Sequence, residues 1–446
     1  MKTFLIIWAG QLVSMLGSGL TGFALSVYVY QQTGSATQLG LAMLAATLPG
    51  LLFSPIAGAL VDRWDRRWAM LISDTGAGLS TLAIWLLLSN GQLAIWHIYA
   101  ANAVNSFLGT FQRPAYMAAT TLLVPKEHYG RAAGLAQVAG AISQIISPLL
   151  AGFLLVIIQI EGVILVDFAT YGVAAFTLLL VRIPRPETTT AGEEGKGSLL
   201  REAVYGWTYL RLRPGLLGLL SLFAFVNFAL GFYGALFTPL ILSFSSAEVL
   251  GVIFSVGGVG MLIGSLVMSA WGGAERKINS LMGGMFIAGL CLCLAGLRAS
   301  PALIGAAVFV FFSLLPVVNG SSQAIWQAKV APDVQGRVFA IRSMIAMAAN
   351  PIAYILAGPL ADYVFEPWMA VDGALAGTVG QITGVGAGRG IGLIFLTMGL
   401  LISVATIVGY LYPRIRLVED ELPDHDAVSP AEASAPLTAE AVAPAS

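Results

Sequence analysis

The sequence contains few charged residues. Only 10% of its 446 residues are charged and 57% are hydrophobic, whereas an average soluble domain has about 25% charged residues. A soluble core of this length could not bury so much apolar surface, so the composition predicts a polytopic membrane protein. The net charge of −1 gives no basic surface for nucleic acid, and we expect no nucleic-acid partner.

Histidine and cysteine are also scarce. His97, His128 and His425 lie in different regions, which argues against the clustered site that a polytopic membrane enzyme would need. Cys291 and Cys293 share one apolar run, and helical neighbours at this spacing point apart, so we predict neither a disulfide nor a metal pair. The sequence has no G-x-x-x-x-G-K-[ST] run, which argues against an ATP-driven pump. No cofactor is expected.

Long apolar runs dominate the sequence. A membrane span needs about 20 mainly apolar residues, and lipid offers the backbone no hydrogen-bond partner, so each span must be a helix. The first run is too long for a signal-peptide core and is interpreted as a retained span. We predict an all-α membrane protein with twelve transmembrane helices at 4–30, 36–61, 69–89, 93–120, 131–158, 162–182, 215–242, 246–271, 279–297, 301–325, 337–361 and 390–412.

Lysine and arginine predict the orientation. With the N-terminus in the cytoplasm, 18 of these residues face the cytoplasm, and only Arg298 and Arg389 face outward. Such a bias is the positive-inside signal. We therefore expect a multi-pass protein of the cell (inner) membrane with both termini cytoplasmic.

The middle loop divides the spans six and six. We predict an N-terminal six-helix bundle (1–182), a cytoplasmic linker (183–214), a C-terminal six-helix bundle (215–412) and a disordered cytoplasmic tail (413–446). Apolar residues recur at helical spacing in the second part of the linker, which predicts an amphipathic helix on the membrane surface. A solvated linker helix is the alternative. The apolar residues are Leu200, Val204, Trp207 and Leu210.

The two halves resemble each other at a shift of 206 residues. Gly130-Arg131 recurs as Gly336-Arg337, and Gly58 falls on Gly264, while the Asp62 position becomes Met268. Parallel repeats of this kind are a transporter architecture with the substrate site between the halves.

A short charged stretch, Gly58–Arg67, joins spans 2 and 3. Its pattern, G-x-x-x-D-R-x-x-R-R, resembles the loop signature of the major facilitator superfamily. The resemblance implies two pseudo-symmetric bundles and a gate that holds the cytoplasmic side closed. Plain positive-inside anchoring is the alternative. The gate residues would be Gly58, Asp62, Arg63, Arg66 and Arg67.

Each gate residue has an expected contact. Gly58 would let the helix ends approach closely. Asp62 would accept hydrogen bonds from the positive N-terminus of span 11 at Gly336-Arg337. Arg66 and Arg67 would contact carboxylates or lipid phosphates.

Two further stretches, 111–125 and 130–135, are similar to a drug-exporter group that includes macrolide efflux proteins, the enterobactin exporter and lysophospholipid carriers. Span 5 also resembles the motif G-x8-G-x3-G-P-x2-G-G of drug–proton antiporters, with small residues in place of three glycines. We expect this face to pack and slide against span 8, near Gly257, Gly258, Gly260 and Gly264; a generic packing face is the alternative. The motif residues are Gly134, Ser143, Ser147, Pro148, Ala151 and Gly152.

Ionisable residues within spans are costly and are candidates for function. Asp74 and Asp167 are the carboxylates well within spans, and a proton-coupled carrier needs one that exchanges a proton. Arg113 is expected to pair with Asp74, and Arg342 to reach toward the interface. Helix capping or a structural ion pair are the alternatives for the carboxylates. Neutral polar candidates for the cavity are Asn102, Asn105, Gln137, Gln144, Asn227, Asn319 and Gln323.

The sequence therefore predicts a monomeric secondary transporter. We expect proton-coupled efflux of a small amphipathic or hydrophobic compound, such as a drug, a macrolide or a siderophore-like molecule, by alternating access. A lysophospholipid flippase and a facilitated uptake carrier remain alternatives within transport. A non-transporting membrane sensor is the alternative outside it. The Gly-rich loop 362–389 would form an interfacial flap.

Overall fold

The computed structural model describes residues 2–61, 64–125, 128–181, 207–330 and 334–421. Twelve long helices are present in this part of the chain, each overlapping a predicted span. They are α1 (Lys2–Thr33), α2 (Ala36–Val61), α3 (Arg66–Ser89), α4 (Ile95–Leu123), α5 (Tyr129–Ile157), α6 (Gln159–Leu180), α7 (Pro214–Leu242), α8 (Ala247–Trp271), α9 (Lys277–Leu297), α10 (Pro301–Lys329), α11 (Gln335–Leu360) and α12 (Arg389–Leu411).

The predicted all-α membrane fold is confirmed. Eleven of the twelve helices contain a stretch long and apolar enough to cross a membrane, and α4 is the one outside that set within the described residues. Successive helices run in opposite directions, so the connections between them lie at two ends of the bundle. We call the end that carries the α2–α3 junction the basic end, and the other the opposite end.

The helices form two six-helix halves with the same packing order. In the N-terminal half, α1 packs on α5 and α6, α3 packs on α4 and α6, and α2 packs on α4. In the C-terminal half, α7 packs on α11 and α12, α9 packs on α10 and α12, and α8 packs on α10. Each of these contacts of the first half therefore recurs six helices later. Between the halves, the matching pairs are α5 with α8 and α11 with α2.

Side chains from neighbouring elements satisfy helix ends at the basic end. The Asp65 carboxylate accepts hydrogen bonds from the amides of Arg67 and Trp68 and caps α3. The carboxylate of Glu419 accepts from the amides of Lys277 and Ile278 at 3.1 and 2.9 Å and caps α9. These caps fix where the helices begin.

The prediction of a disordered tail is wrong for residues 413–421. Pro413–Arg416 and Val418–Glu421 form short helices. They dock because the side chains of Ile415 and Val418 are buried against the C-terminal half, and because Glu419 caps α9. Residues 422–446 lie outside the described part of the chain.

The linker is described only from residue 207. Trp207–Arg211 is helical, with the Leu210 side chain buried in the C-terminal half. The Arg213 guanidinium lies 3.6 Å from the centre of the Tyr209 ring. The segment thus packs on protein, while the rest of the predicted amphipathic helix, Ser198–Gly206, lies outside the described residues.

Candidate functional site

The two halves meet closely at the opposite end. There the Asp362 carboxylate, just beyond α11, accepts four hydrogen bonds from the first residues of α2 and the residue before it. The donors are Ser35 Oγ at 2.6 Å, the Ala36 amide at 3.0 Å, and the amide and Oγ1 of Thr37 at 2.9 and 2.7 Å. The halves are therefore joined by polar contacts as well as packing.

Glycines allow this approach. A Cβ on Gly358 of α11 would lie 2.3 Å from the Cα of Thr37, and one on Gly40 of α2 would lie 2.7 Å from the carbonyl oxygen of Tyr354. The Phe23 and Phe254 rings also meet edge to face across the halves at 6.2 Å. At the two glycine positions only a residue without a side chain fits. The helices of the two halves therefore pack closely at the opposite end.

Toward the basic end the halves separate. A cleft of about 460 Å³ lies between α5 and α8, and on α2 and α11 the side chains of Leu52, Met344 and Met347 are 61%, 53% and 59% exposed. The described hydrogen bonds between the halves lie at the opposite end, except that from Ser255 Oγ to the Ile145 carbonyl in mid-helix. Within the described residues, the halves are therefore apart at the basic end and in contact at the opposite end.

The predicted gate stretch lies at the open end. Asp62 and Arg63 lie outside the described residues, and Gly58 falls within α2 with its surroundings undescribed. Arg67 Nε and Nη2 donate to the carbonyls of Leu178 and Leu179 at 2.8 and 2.7 Å. The Arg67 guanidinium thus caps the end of α6 in its own half, and its expected contact with a carboxylate or lipid phosphate stays a prediction.

Arg66 shows a different environment from Arg67. Its Nε atom is buried and has no hydrogen-bond partner within the described part of the chain. Buried donors are normally satisfied. Arg66 therefore retains donor capacity at the end where the halves are apart.

The span-5 motif faces two helices. Ser143 Oγ and Ser147 Oγ donate to the α1 carbonyls of Met15 and Leu16, both at 3.1 Å. On the next face, a Cβ on Gly152 would lie 3.0 Å from the carbonyl oxygen of Ala247 in α8. Ala151 is fully buried, while Gly134 is exposed with nothing near its Cβ position.

Helix α8 uses fewer glycines against α5 than predicted. Gly258 packs on Ile145, and Gly251 approaches the carbonyl oxygen of Pro148, with Cβ positions 2.3 and 2.4 Å from those residues. The other three predicted glycines face α10, because their Cβ positions fall against its residues. These are Gly257, Gly260 and Gly264. The prediction of a sliding seam with α8 is thus wrong for them.

Asp74 is buried between α1, α3 and α4. Its Oδ2 accepts from Gln11 Nε2 at 2.8 Å, and Gln11 Oε1 accepts from Gln112 Nε2 at 2.5 Å. The predicted pair with Arg113 is wrong, because the Arg113 side chain is exposed and Asp74 points to α1. No ion pair joins these two described residues.

Asp167 of α6 faces α1 and α3. It is 1% exposed, and its carboxylate lies 3.5 Å from the hydroxyls of Ser18, Thr81 and Thr170. Ser18 Oγ also donates to the hydroxyl of Tyr171 at 2.9 Å. Gln11 and Ser18 are two turns apart on α1, so the two carboxylates face one stripe of that helix, separated by about 10 Å along it.

The surroundings of both carboxylates are neutral. Across the described ranges, no lysine, arginine or histidine pairs with Asp74 or Asp167. Buried charges are normally paired, and an ionisable residue within a span is a functional candidate by default. The N-terminal half thus holds two carboxylates whose partners are amides and hydroxyls.

Arg342 is held within the C-terminal half. Its Nη1 and Nη2 donate to Gln323 Oε1 and Ser322 Oγ, both at 3.0 Å, and its guanidinium lies 4.9 Å from the centre of the Trp326 ring. The expectation that Arg342 reaches to the interface is therefore wrong. These contacts place a cation on α11 beside α10 near the open end.

The neutral polar candidates have different surroundings. Asn102 donates to the Ala42 carbonyl in α2 at 3.1 Å, and Asn227 donates within its own helix to the Phe223 carbonyl at 2.8 Å. Gln144 lines the α5–α8 cleft, and the Asn319 side chain is exposed. The others are Gln323, bound to Arg342, Asn105, whose Oδ1 is buried without a partner in the described region, and Gln137, whose side chain is not described.

Two features of the structure are not among the predictions from the sequence. Asp362 lies in the predicted loop 362–389, although its position just beyond a glycine-containing helix end is a usable signal. The other is a cluster of aromatic rings near the opposite end, on α7, α8, α10 and α12, where ring centres lie 4.7 to 6.4 Å apart. Its members are Tyr233, Phe237, Phe254, Phe311, Phe312 and Phe395.

A family model described as Major Facilitator Superfamily matches residues 7–354. The chain belongs to the major facilitator superfamily. This major facilitator protein is therefore a multi-pass transporter of the cell membrane with a small-molecule substrate, as the resemblance of Gly58–Arg67 indicated.

Known relatives agree with this membership. Macrolide efflux protein A of Streptococcus pyogenes is 31% identical over 386 residues, which cover 83% of this chain and 93% of that protein. The enterobactin exporter EntS of Shigella flexneri is 24% identical over 222 residues, covering 49% of this chain and 52% of that protein. The predicted resemblance to this exporter group is confirmed.

Solved structures show the same fold. A bacterial homologue of the human lysosomal transporter Spinster, in an inward-facing and unoccupied conformation, has a TM-score of 0.70 at 14% identity. The match covers 96% of this chain and 98% of that one. It establishes the arrangement of twelve helices in two halves for this major facilitator protein.

Proposed function

We propose that this transporter exports a small amphipathic or hydrophobic compound in exchange for protons. The observation that carries the proposal is the pair of buried carboxylates, Asp74 and Asp167, without a cation among their described neighbours. A carboxylate in such a place is a site where a proton binds and leaves as the surroundings change. The efflux activity named for the Streptococcus pyogenes relative supports the direction of transport.

The basic end faces the cytoplasm in this proposal, because lysines and arginines concentrate in its loops. The structure then corresponds to the state that loads substrate from inside. Closing the halves at the basic end and parting them at the opposite end would present the substrate outside. The Gly58–Arg67 stretch would hold that second state, with Asp62 at the N-terminus of α11.

The polar contacts of Asp74 and Asp167 connect proton binding to helix packing. Both carboxylates contact α1, through Gln11 and Ser18 respectively, and α1 also accepts the hydrogen bonds of Ser143 and Ser147 from α5. Helix α5 in turn forms the seam with α8 of the other half. A change of charge at either carboxylate can therefore act through α1 and α5 on the interface between α5 and α8.

Vesicle transport tests the proposal directly. Everted membrane vesicles from cells that express the chain should take up an exported compound when the lumen is made acidic. Adding the compound should release protons from the lumen. A panel of a macrolide, enterobactin and a lipophilic cationic dye covers the proposed substrate class. Absence of both uptake and proton movement across that panel would contradict the proposal.

A lysophospholipid flippase is the second candidate. The cleft between α5 and α8 favours it, because its lining combines apolar residues with Gln144 and Ser265 and would accept an acyl chain beside a polar group. Adding lysophosphatidylcholine to the panel separates the two. Movement of this lipid without movement of the other compounds would favour the flippase.

A further inference from the structure

Helices α2 and α11 run antiparallel across the boundary between the halves. At the opposite end, the C-terminus of α11 lies on the N-terminus of α2, where Asp362 accepts its four hydrogen bonds from Ser35, Ala36 and Thr37. All donors belong to the N-terminal half and the acceptor belongs to the C-terminal half. Every one of these bonds must break when the halves separate at this end.

The two helices end in the same residue pattern. The sequence reads Ala57-Gly-Ala-Leu-Val-Asp62 from the last turn of α2 onward, and Ala357-Gly-Pro-Leu-Ala-Asp362 from the last turn of α11 onward. Both read A-G-x-L-x-D. The first copy belongs to the predicted gate at the basic end, and the second lies at the opposite end with its contacts described.

The second copy shows how such a pattern engages a partner helix. Gly358 has no room for a side chain, because a Cβ would lie 2.3 Å from the Cα of Thr37. This approach brings Asp362, one turn later, onto the free amides of the α2 N-terminus, where a negative charge is stabilised by the helix dipole. Glycine supplies the approach and aspartate supplies the bond.

We propose that Asp362 is a latch that holds the opposite end closed. By the repeated pattern, Asp62 would act in the same way at the basic end. The Asp362 latch is engaged in this structure, where the carboxylate accepts its four hydrogen bonds. The inference rests on the proposed alternating-access function and identifies what stabilises one of its two states.

A neighbouring carboxylate provides the matched control. Glu366 lies four residues beyond Asp362 and also accepts backbone hydrogen bonds at a helix N-terminus, from Gly388 and Ile391 at 3.1 and 3.0 Å. Both donors lie at the N-terminus of α12, in the same half as Glu366. Opening the boundary between the halves leaves these bonds intact, so the Glu366 charge should not affect the equilibrium.

Distances between spin labels at the opposite end test the latch. Ser89 in the N-terminal half and Ala299 in the C-terminal half are exposed there, so labels would be attached to Ser89→Cys and Ala299→Cys with Cys291 and Cys293 changed to alanine. In purified full-length protein, Asp362→Asn and Asp362→Ala should raise the ratio of the long-distance to the short-distance population by about tenfold or more, because charge-assisted bonds are lost. Glu366→Gln should leave it unchanged.

An unchanged distance distribution in both Asp362 variants, or an equal shift in Glu366→Gln, would overturn the latch. Should an Asp362 variant fail to fold, Thr37→Val, which removes one donor at constant shape, must give a smaller shift in the same direction or the latch is equally overturned. The measurement needs no substrate. A shift in a protein that exports nothing would therefore refute the proposed function and leave the latch standing, while export without a shift would do the reverse.

Discussion

Gln11 Nε2 donates to Asp74 Oδ2 at 2.8 Å. This hydrogen bond joins a buried carboxylate of α3 to α1. Seven residues further along α1, Ser18 reaches the second buried carboxylate, Asp167. One helix thus contacts both candidate proton sites.

Replacing Asp74 and Asp167 singly by Asn tests which carboxylate carries the proton. Asn preserves the shape and can still accept from Gln11 or Ser18, so the fold should be kept while the exchangeable proton is lost. We expect one of the two variants to lose proton movement in vesicles to background. Asp372→Asn, at an exposed loop position, should behave as the unchanged protein. Full coupling in both buried variants would rule out the assignment.

Asp62→Ala tests the latch at the basic end. By the geometry that Asp362 shows, Asp62 should hold α11 when the basic end closes. Loss of about 2 kcal/mol from that state would reduce efflux by about tenfold or more with normal membrane insertion. Asp420→Ala, which breaks an exposed ion pair with Arg276, is the control. Normal efflux with Asp62→Ala would refute this role.

Arg67→Gln tests the cap on α6. Two donors to the carbonyls of Leu178 and Leu179 are lost, so stability should fall by roughly 1–3 kcal/mol, seen as a lower midpoint of thermal unfolding in detergent. Arg276→Gln breaks a surface ion pair whose partners are half exposed and should cost under about 1 kcal/mol. If the two variants unfold at the same temperature, Arg67 is not a cap.

Gly251→Ala tests the α5–α8 seam. The added methyl group would lie 2.4 Å from the carbonyl oxygen of Pro148, so the backbones must part at a cost of about 1–3 kcal/mol. The distance between spin labels at Ser89→Cys and Ala299→Cys, both at the opposite end, should lengthen. Gly305→Ala adds the same group in open space and should leave the distance unchanged, and an equally unchanged distance in Gly251→Ala would contradict a tight seam.

The sequence predicts the helices well because long apolar runs in lipid have one backbone solution. The fold, the twelve spans and the superfamily follow from that and from the pattern at Gly58–Arg67. Buried Asp74 and Asp167 also stand out, because a carboxylate is rare within a span.

Contacts between spans could not be predicted in the same way. Arg67 belongs to a charged loop, and only the folded bundle shows that the end of α6 lies within its reach. Gly257 and Gly260 sit close to Gly258 along the chain but face another helix, which depends on how α8 is rotated. Ile415 and Val418 precede a polar tail, and their burial depends on a groove formed by other helices.

Compound accumulation in an efflux-deficient host tests the central claim most directly. Cells that express the chain should accumulate less of at least one compound of the panel than cells without it. Collapsing the proton gradient should restore accumulation to the level of the control cells. Equal accumulation with and without the protein, or reduced accumulation that persists after the gradient is collapsed, would contradict proton-driven export.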